Sequence, residues 1–316
     1  MDMKVFTSSC ENAPRITSMA DFFSKTTGGE ANSPVRAAQA DPRLLNDDNL
    51  TTFYHALTKN MGPFLYHYFA SIPYSLEEEC RLGSAIIQYS EKYSGSLSVY
   101  CLGMAEGSMA RTISQLSEGK IRTLTTSPTK PNEHYFYENG PVAGADFICT
   151  PFFRLPEHLE CEKYQKFSTG FDIIIEDTTF QMYSLDREHQ IQFVKQFLKE
   201  DGLFIFTEKF RCEPDEYVAR ENQKDISFKR RFFTEEQLGL KKRVVLDRMS
   251  ENEVSVDEMK MALDKHFRHK AIYWNSGNFH SIVASSSQHN IDHFLSLLGH
   301  ACIPFEYVYC DLPTFL

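Results

Sequence analysis

No apolar run in the 316-residue chain approaches the roughly 18 residues needed to span a bilayer, so a membrane protein is not expected. The first residues offer no secretory signal either. Met1 to Phe6 is followed by polar TSSCENAPR, without an apolar core segment. The eight cysteines (Cys10, Cys80, Cys101, Cys149, Cys161, Cys212, Cys302 and Cys310) contain no CxxC pair, and several sit inside apolar runs. That usage argues against a disulfide framework or a zinc site, and for free thiols in a reducing compartment. A cytoplasmic protein without a bound metal is the expectation. Lys and Arg number 33 against 43 Asp and Glu, a net charge of −10, which makes nucleic acid an unlikely partner for the surface as a whole but leaves room for a local basic patch. Internal repeats, low-complexity blocks and a GxGxxG fingerprint are also missing. Without that fingerprint a nicotinamide dehydrogenase is disfavoured.

What the chain has is material for a sizeable core, with 42% hydrophobic and 13% aromatic residues. Residues 1 to 45 carry little pattern (TTGGEANSP, then RAAQADPR) and read as a mobile leader. From Leu50 the chain turns aromatic and amphipathic, and Ser75 with Glu78 reads as a capping box heading a helix through Gln88. After Gly95 apolar strands alternate with helices. LSVYCLG, KIRTLT, ADFICT, FDIIIED and GLFIFTE read as five strands. Helices are expected over Glu106 to Leu116, Leu155 to Lys166 and Leu185 to Glu200. Such alternation implies a parallel sheet with crossover helices. Residues 211 to 250 are charged and helix-prone, with a capping box at Thr234 and Gln237 and another at Ser255 and Glu258. AIYWNSGNFHSIVAS then reads as a hairpin turning at Asn275–Asn278, followed by a helix from Ile291 to Leu298 and an apolar tail.

One stretch carries the functional signal. In VYCLGMAEGSMA, Val99 to Ala110, an apolar strand breaks at Gly103, passes Gly107 and restarts as a helix. Such bends seat anionic or nucleotide-like ligands at a helix N-terminus. Glu176 and Asp177 end the fourth strand, on the side where open α/β sheets bind ligands.

This order of elements resembles the class I S-adenosylmethionine (SAM)-dependent methyltransferases over roughly Tyr66 to Ser287. The best segment is Phe171 to Glu208, which looks like the family's fourth strand, helix and fifth strand; LGMAEGS looks like its glycine-rich loop, with Ala105 where a middle glycine usually stands. The resemblance implies an α/β fold: a Rossmann-like seven-stranded mostly parallel sheet with a C-terminal antiparallel hairpin and helices on both faces. It implies a helical lid at 46–95, a methyltransferase domain at 96–300 with an insertion at 211–253 over the substrate side, and a tail at 301–316. It further implies SAM as cofactor, a small-molecule acceptor, anionic or carrier-tethered, and is compatible with a homodimer. A nucleic-acid methyltransferase is disfavoured because the (Asn/Asp)-Pro-Pro-(Tyr/Phe) motif is missing.

Carried over by position, cofactor contacts would come from Gly103, Ala105, Glu106, Gly107, Glu176 and Asp177. Family members place acids after the second and third strands, where this chain has Thr125 and Thr126, then Cys149 and Thr150. Losing a charge-assisted hydrogen bond removes roughly 1.5–3 kcal/mol, although a threonine hydroxyl both donates and accepts. Glu106 either supplies the missing carboxylate or is a first-turn helix acid. Tyr66, Tyr68, Phe180, Met182 and Tyr183 are candidates for the substrate side. Asp177, His280 and His67 are the candidate general bases, needed only for a nucleophile protonated near pH 7. The clusters Lys229–Arg230–Arg231 and Lys241–Lys242–Arg243 would attract an anionic substrate or form a solvated face. The competing expectation is a non-catalytic binding or scaffolding protein that keeps the fold.

Overall fold

The structure is a computed structural model and describes residues 3–316. Its strands are β1 (Leu97–Leu102), β2 (Ile121–Thr126), β3 (Ala145–Ile148), β4 (Phe171–Asp177), β5 (Leu198–Lys209), β6 (His269–Ser276), β7 (Phe279–Ser285) and β8 (Thr314–Phe315). They form one sheet in the order β3-β2-β1-β4-β5-β7-β6-β8. β1 to β5 pair in parallel, and the β6–β7 hairpin places β7 antiparallel against β5. The expected seven strands become eight because the tail adds β8 antiparallel to β6.

β1 has β2 on one side and β4 on the other, so the chain reverses its direction of travel across the sheet there. Crossover helices consequently cover both faces, and a crevice opens at the carboxyl ends of β1 and β4. Strands β1 to β4 are buried at nearly every position, and their apolar residues sort by parity. Val99, Cys101, Ile173 and Ile175 pack into one layer, while Tyr100, Leu102 and Ile174 pack into the other.

Six helices before β2 position the site. They are α1 (Met3–Glu11), α2 (Ala20–Thr27), α3 (Asp48–Asn60), α4 (Pro63–Phe69), α5 (Ser75–Ser90) and α6 (Ser108–Leu116). The segment read as a mobile leader is in fact packed. Phe6 lies with its ring centroid 5.4 Å from that of Phe193, and Met19, Phe22 and Phe23 are buried in the same layer. Helices of eight or nine residues draw their stability from tertiary packing, which local pattern does not reveal. Of the expected lid, only α4 overhangs the crevice; α3 and α5 pack into the opposite layer through Phe53, Leu57, Cys80 and Ile86.

Three local expectations are corrected. Ser75 donates to the Ile72 carbonyl and Glu78 is held by Arg81 at 2.7 and 2.9 Å, so no capping box heads α5. The helix expected over Leu155 to Lys166 is a short helix, Leu155–Leu159, and a 3₁₀ segment, Glu162–Phe167. The helix expected from Leu185 to Glu200 spans Arg187–Lys195, because β5 already begins at Leu198. The boxes at Thr234 and Ser255 are formed as expected. Within the insertion, helices Pro214–Gln223 and Glu235–Lys241 each run on into a π-helical turn, Lys224–Phe228 and Lys242–Leu246. Among the described residues no helix is long and apolar enough to cross a membrane.

Candidate functional site

A cleft partly open to solvent lies over the carboxyl ends of β1, β4 and β5 beneath α4 and the insertion. Its floor is the turn from β1 into α6. Gly103 (φ +69°), Ala105 (φ +42°) and Gly107 (φ +66°) all adopt left-handed backbone there. At Gly103 a Cβ would come within 2.2 Å of Thr179 Oγ1, and at Gly107 within 2.9 Å of Thr125 Oγ1, so both glycines are required sterically as well as conformationally.

Gly103 and Ala105 line the cleft together with Met104 and Ser108. Glu106 does not. Its carboxylate turns beneath α4, where Oε1 accepts from Leu65 N–H at 2.9 Å and receives further support from the Gly62 and Phe64 amides. It is therefore the anchor joining the glycine turn to the lid, rather than a ribose ligand or an acid of α6's own first turn. Burial pushes its carboxyl up to about 7.

At the end of β2, Thr125 is buried beside Gly107, and Thr126 Oγ1 is 2.7 Å from Tyr100 Oη. Neither lines the cleft, and neither do Cys149 and Thr150 after β3. Ser127 and Asn132 do. Asn132 Nδ2 donates to Ser127 Oγ at 2.6 Å, while Asn132 Oδ1 is buried without a partner among the described residues. Arg15 reaches the same end. It donates to Thr129 Oγ1 at 2.6 Å and sits 4.1 Å from the centroid of the Phe23 ring. Burial lowers its guanidinium from the usual value.

The acids ending β4 separate in role. Glu176 Oε1 accepts from the backbone N–H groups of Thr179 and Phe180, closing the turn away from the cleft. Asp177 faces the cleft and accepts from Tyr68 Oη at 2.6 Å. Its carboxyl is pushed up to about 7, mainly by burial. Glu79 of α5 also lines this wall, with Oε2 buried and unpartnered among the described residues. Burial, then the nearby Asp177 and Glu78, hold its carboxyl well above the ordinary range.

His67 lines the cleft, but His280 does not; on β7, beside Glu208, its ring packs 5.5 Å from that of Phe210. His67 Nδ1 lies 2.7 Å from the Asn32 carbonyl, which fixes that nitrogen as the donor and leaves the buried Nε2 with a free lone pair. Burial, then the Lys241 charge, holds its imidazole neutral well below the ordinary histidine range. Tyr68 and Met182 line the cleft, whereas Phe180 and Tyr183 pack around Phe152 in the core and Tyr66 lies off the site.

The far wall, beyond β5, is basic. Lys209, Lys224, Lys229 and Lys241 all line it. Sequence reading marked Lys229 and Lys241 within their clusters but missed Lys224, Glu79, Asn132 and Arg15. Arg15 sits in a segment without pattern, and the others belong to helices whose inward faces only the tertiary fold defines.

No protein-family model and no curated protein sequence matches the chain. Among solved structures, it is similar to the plantazolicin methyltransferase BpumL in complex with S-adenosylhomocysteine (SAH). The TM-score is 0.50 at 11% identity, covering 90% of this chain and 98% of that one. It is also similar to BpumL in complex with a pentazolic desmethylPZN analog and SAH (TM-score 0.49, 11% identity, 91% and 100% covered), and to human N-acetylserotonin methyltransferase in complex with SAM (0.43, 14%, 77% and 60%). The β3-β2-β1-β4-β5-β7-β6 order with its antiparallel β7 and the BpumL superposition agree: the chain has the Rossmann-like fold of the class I SAM-dependent methyltransferases.

Proposed function

We propose that this chain is a cytoplasmic SAM-dependent methyltransferase acting on a small-molecule acceptor. The observation that carries the reading is the left-handed turn Gly103–Gly107, which opens at the switch point of the sheet onto a cleft lined by both apolar and charged side chains. The residues present fit the cofactor. Gly103 and Ala105 line the cleft at the turn, and the unpartnered Asn132 Oδ1 with Ser127 offers neutral acceptors for ribose hydroxyls where an acid is more usual. When bound, SAM supplies a methyl group already activated on a sulfonium.

The protein's own work is then alignment and exclusion of water. α4 and the insertion roof the cleft, and Phe22, Phe23 and Phe64 supply an apolar wall. A protonated nucleophile would lose its proton to Asp177, oriented by Tyr68, or to the His67 Nε2 lone pair. With its carboxyl pushed up to about 7, Asp177 ionises only as pH rises through neutrality. If Asp177 is the base, kcat falls about tenfold per pH unit below 7, and Asp177→Asn removes that limb while lowering the plateau roughly 10²-fold or more. A profile flat through neutrality, with kcat kept in Asp177→Asn, assigns the proton to His67, whose imidazole stays neutral well below the ordinary histidine range.

Calorimetric titration of SAH into the full chain tests the reading, with Gly103→Arg as control and Asn132→Leu as a second variant less demanding of the backbone. Micromolar binding, lost in the first and weakened in the second, is the expected result. No binding up to millimolar SAH would favour the non-catalytic scaffold.

A further inference from the structure

The basic wall has more amino groups than carboxylate partners. Lys209 Nζ lies 3.0 Å from Glu221 and 3.1 Å from Glu253; Lys224 is 2.6 Å from Glu221, and Lys229 is 2.7 Å from Asp225. Lys241 has no carboxylate within 4.0 Å among the described residues and donates instead to Ser71 Oγ at 2.7 Å. Four amino groups thus meet three carboxylates, Glu221, Glu253 and Asp225, and Lys241 is the one left without an acid. Lys224 and Lys229 are no more than 5% exposed, and Lys241 is half-buried. An amino group without an acid is costly to charge away from water, and a ligand oxyanion would complete it.

The chain's local shape agrees. Lys224 opens one π-helical turn and Lys241 immediately precedes the other. Such turns break the helical repeat and redirect side chains, often at functional sites. Burial and mutual repulsion lower the ammonium of Lys241, and that of Lys224 to about 7. Facing the lysines, His67 presents a buried nitrogen with a free lone pair, a partner for a donor on whatever the lysines hold. Their position also separates them from the glycine turn. Strands lie about 4.8 Å apart, so β5, where this wall begins, stands about 10 Å across β4 from the β1 turn.

We infer that Lys224, Lys229 and Lys241 form an oxyanion-binding subsite, for a carboxylate or a phosphate on the acceptor, that presents the acceptor's remaining atoms to Asp177 and the glycine turn. The acceptor's role rests on the methyltransferase reading; the anion site itself does not. A lysine ammonium carries three donors, so even the paired Lys224 and Lys229 keep donors for a second oxygen ligand.

The test is calorimetry and thermal denaturation of the full chain with saturating SAH, titrating inorganic phosphate and, separately, benzoate at constant ionic strength set with chloride. Binding of one probe, weakened at least tenfold in Lys241→Gln and unchanged in the exposed control Lys242→Gln, is the expected result; which probe binds distinguishes phosphate from carboxylate. Lys241→Gln without any probe should melt no lower than the parent chain, because Lys241 makes no ion pair and glutamine can keep a polar contact in its place. Absence of binding by either probe overturns the inference, as does binding that survives Lys241→Gln. Binding that SAH displaces also overturns it, since the lysines would then hold the donor's own carboxylate. If SAH fails to bind while a probe binds in a Lys241-dependent way, the methyltransferase reading falls and the anion site stands.

Discussion

Ala105 occupies left-handed backbone at φ +42°, where an alanine is held about 1–2 kcal/mol above a relaxed conformation. Replacing it with glycine relieves that strain but adds about 0.5–1 kcal/mol of freedom to the unfolded chain. The relief is larger, so Ala105→Gly should stabilise by roughly 0.5–1 kcal/mol in urea denaturation; destabilisation would show that the methyl group packs usefully. Glu106 makes a prediction of opposite character. Its carboxyl is raised from 4.5 to about 7, so between those values the folded state binds a proton that the unfolded state has lost. Stability from this group is therefore greatest below about pH 4.5 and falls as pH rises to 7, by about 3 kcal/mol at most. Glu106→Gln keeps an acceptor for Leu65 N–H without the ionisation. Its stability relative to the parent should rise over that pH interval and level off above it, as followed by denaturant midpoints at pH 4.5, 6 and 8.

Elements tell more about what sequence conveys. The five parallel strands and the hairpin were legible because each is a short segment rich in apolar or β-branched residues between turn residues. The glycine turn was legible because Gly103 and Gly107 are needed by the backbone itself. α1 and α2 were not, because KVF and DFF amount to one or two aromatic residues each, and the rings that bury them come from elsewhere: Phe152 and Phe193 for Phe6, His67 and Phe64 for Phe22 and Phe23. Phe6→Ala should destabilise by about 3 kcal/mol, as for other buried phenylalanines. A loss below 1 kcal/mol would return this segment to the mobile leader that its composition suggests. Within the site, Asp177 and His67 could be found by residue type, whereas Glu79 and Lys224 could not. Acids and lysines on helices are ordinarily solvated, and only the packing of α5 and the insertion turns these two inward. Glu106 was visible, but its partner was not: the amides of α4 reach it across 41 residues of chain.

For the whole molecule, the cleft draws its walls from residues as far apart as Arg15 and Phe279, so an occupant contacts nearly every layer of the fold. Binding at 100 times Kd adds about 2.7 kcal/mol to global stability, which in a chain of this size corresponds to a rise in Tm of roughly 4–6 °C. SAH at that excess should produce such a rise as one cooperative transition; a split transition would mean that the α1–α4 region melts separately from the sheet. The same span of 264 residues, from 15 to 279, has a consequence during synthesis. A growing chain gains the β1 turn early, but it cannot close the wall at Phe279 until β7 has left the ribosome. No product that stops before β7 retains a complete cleft, and competence to bind arrives only in the last stage of translation.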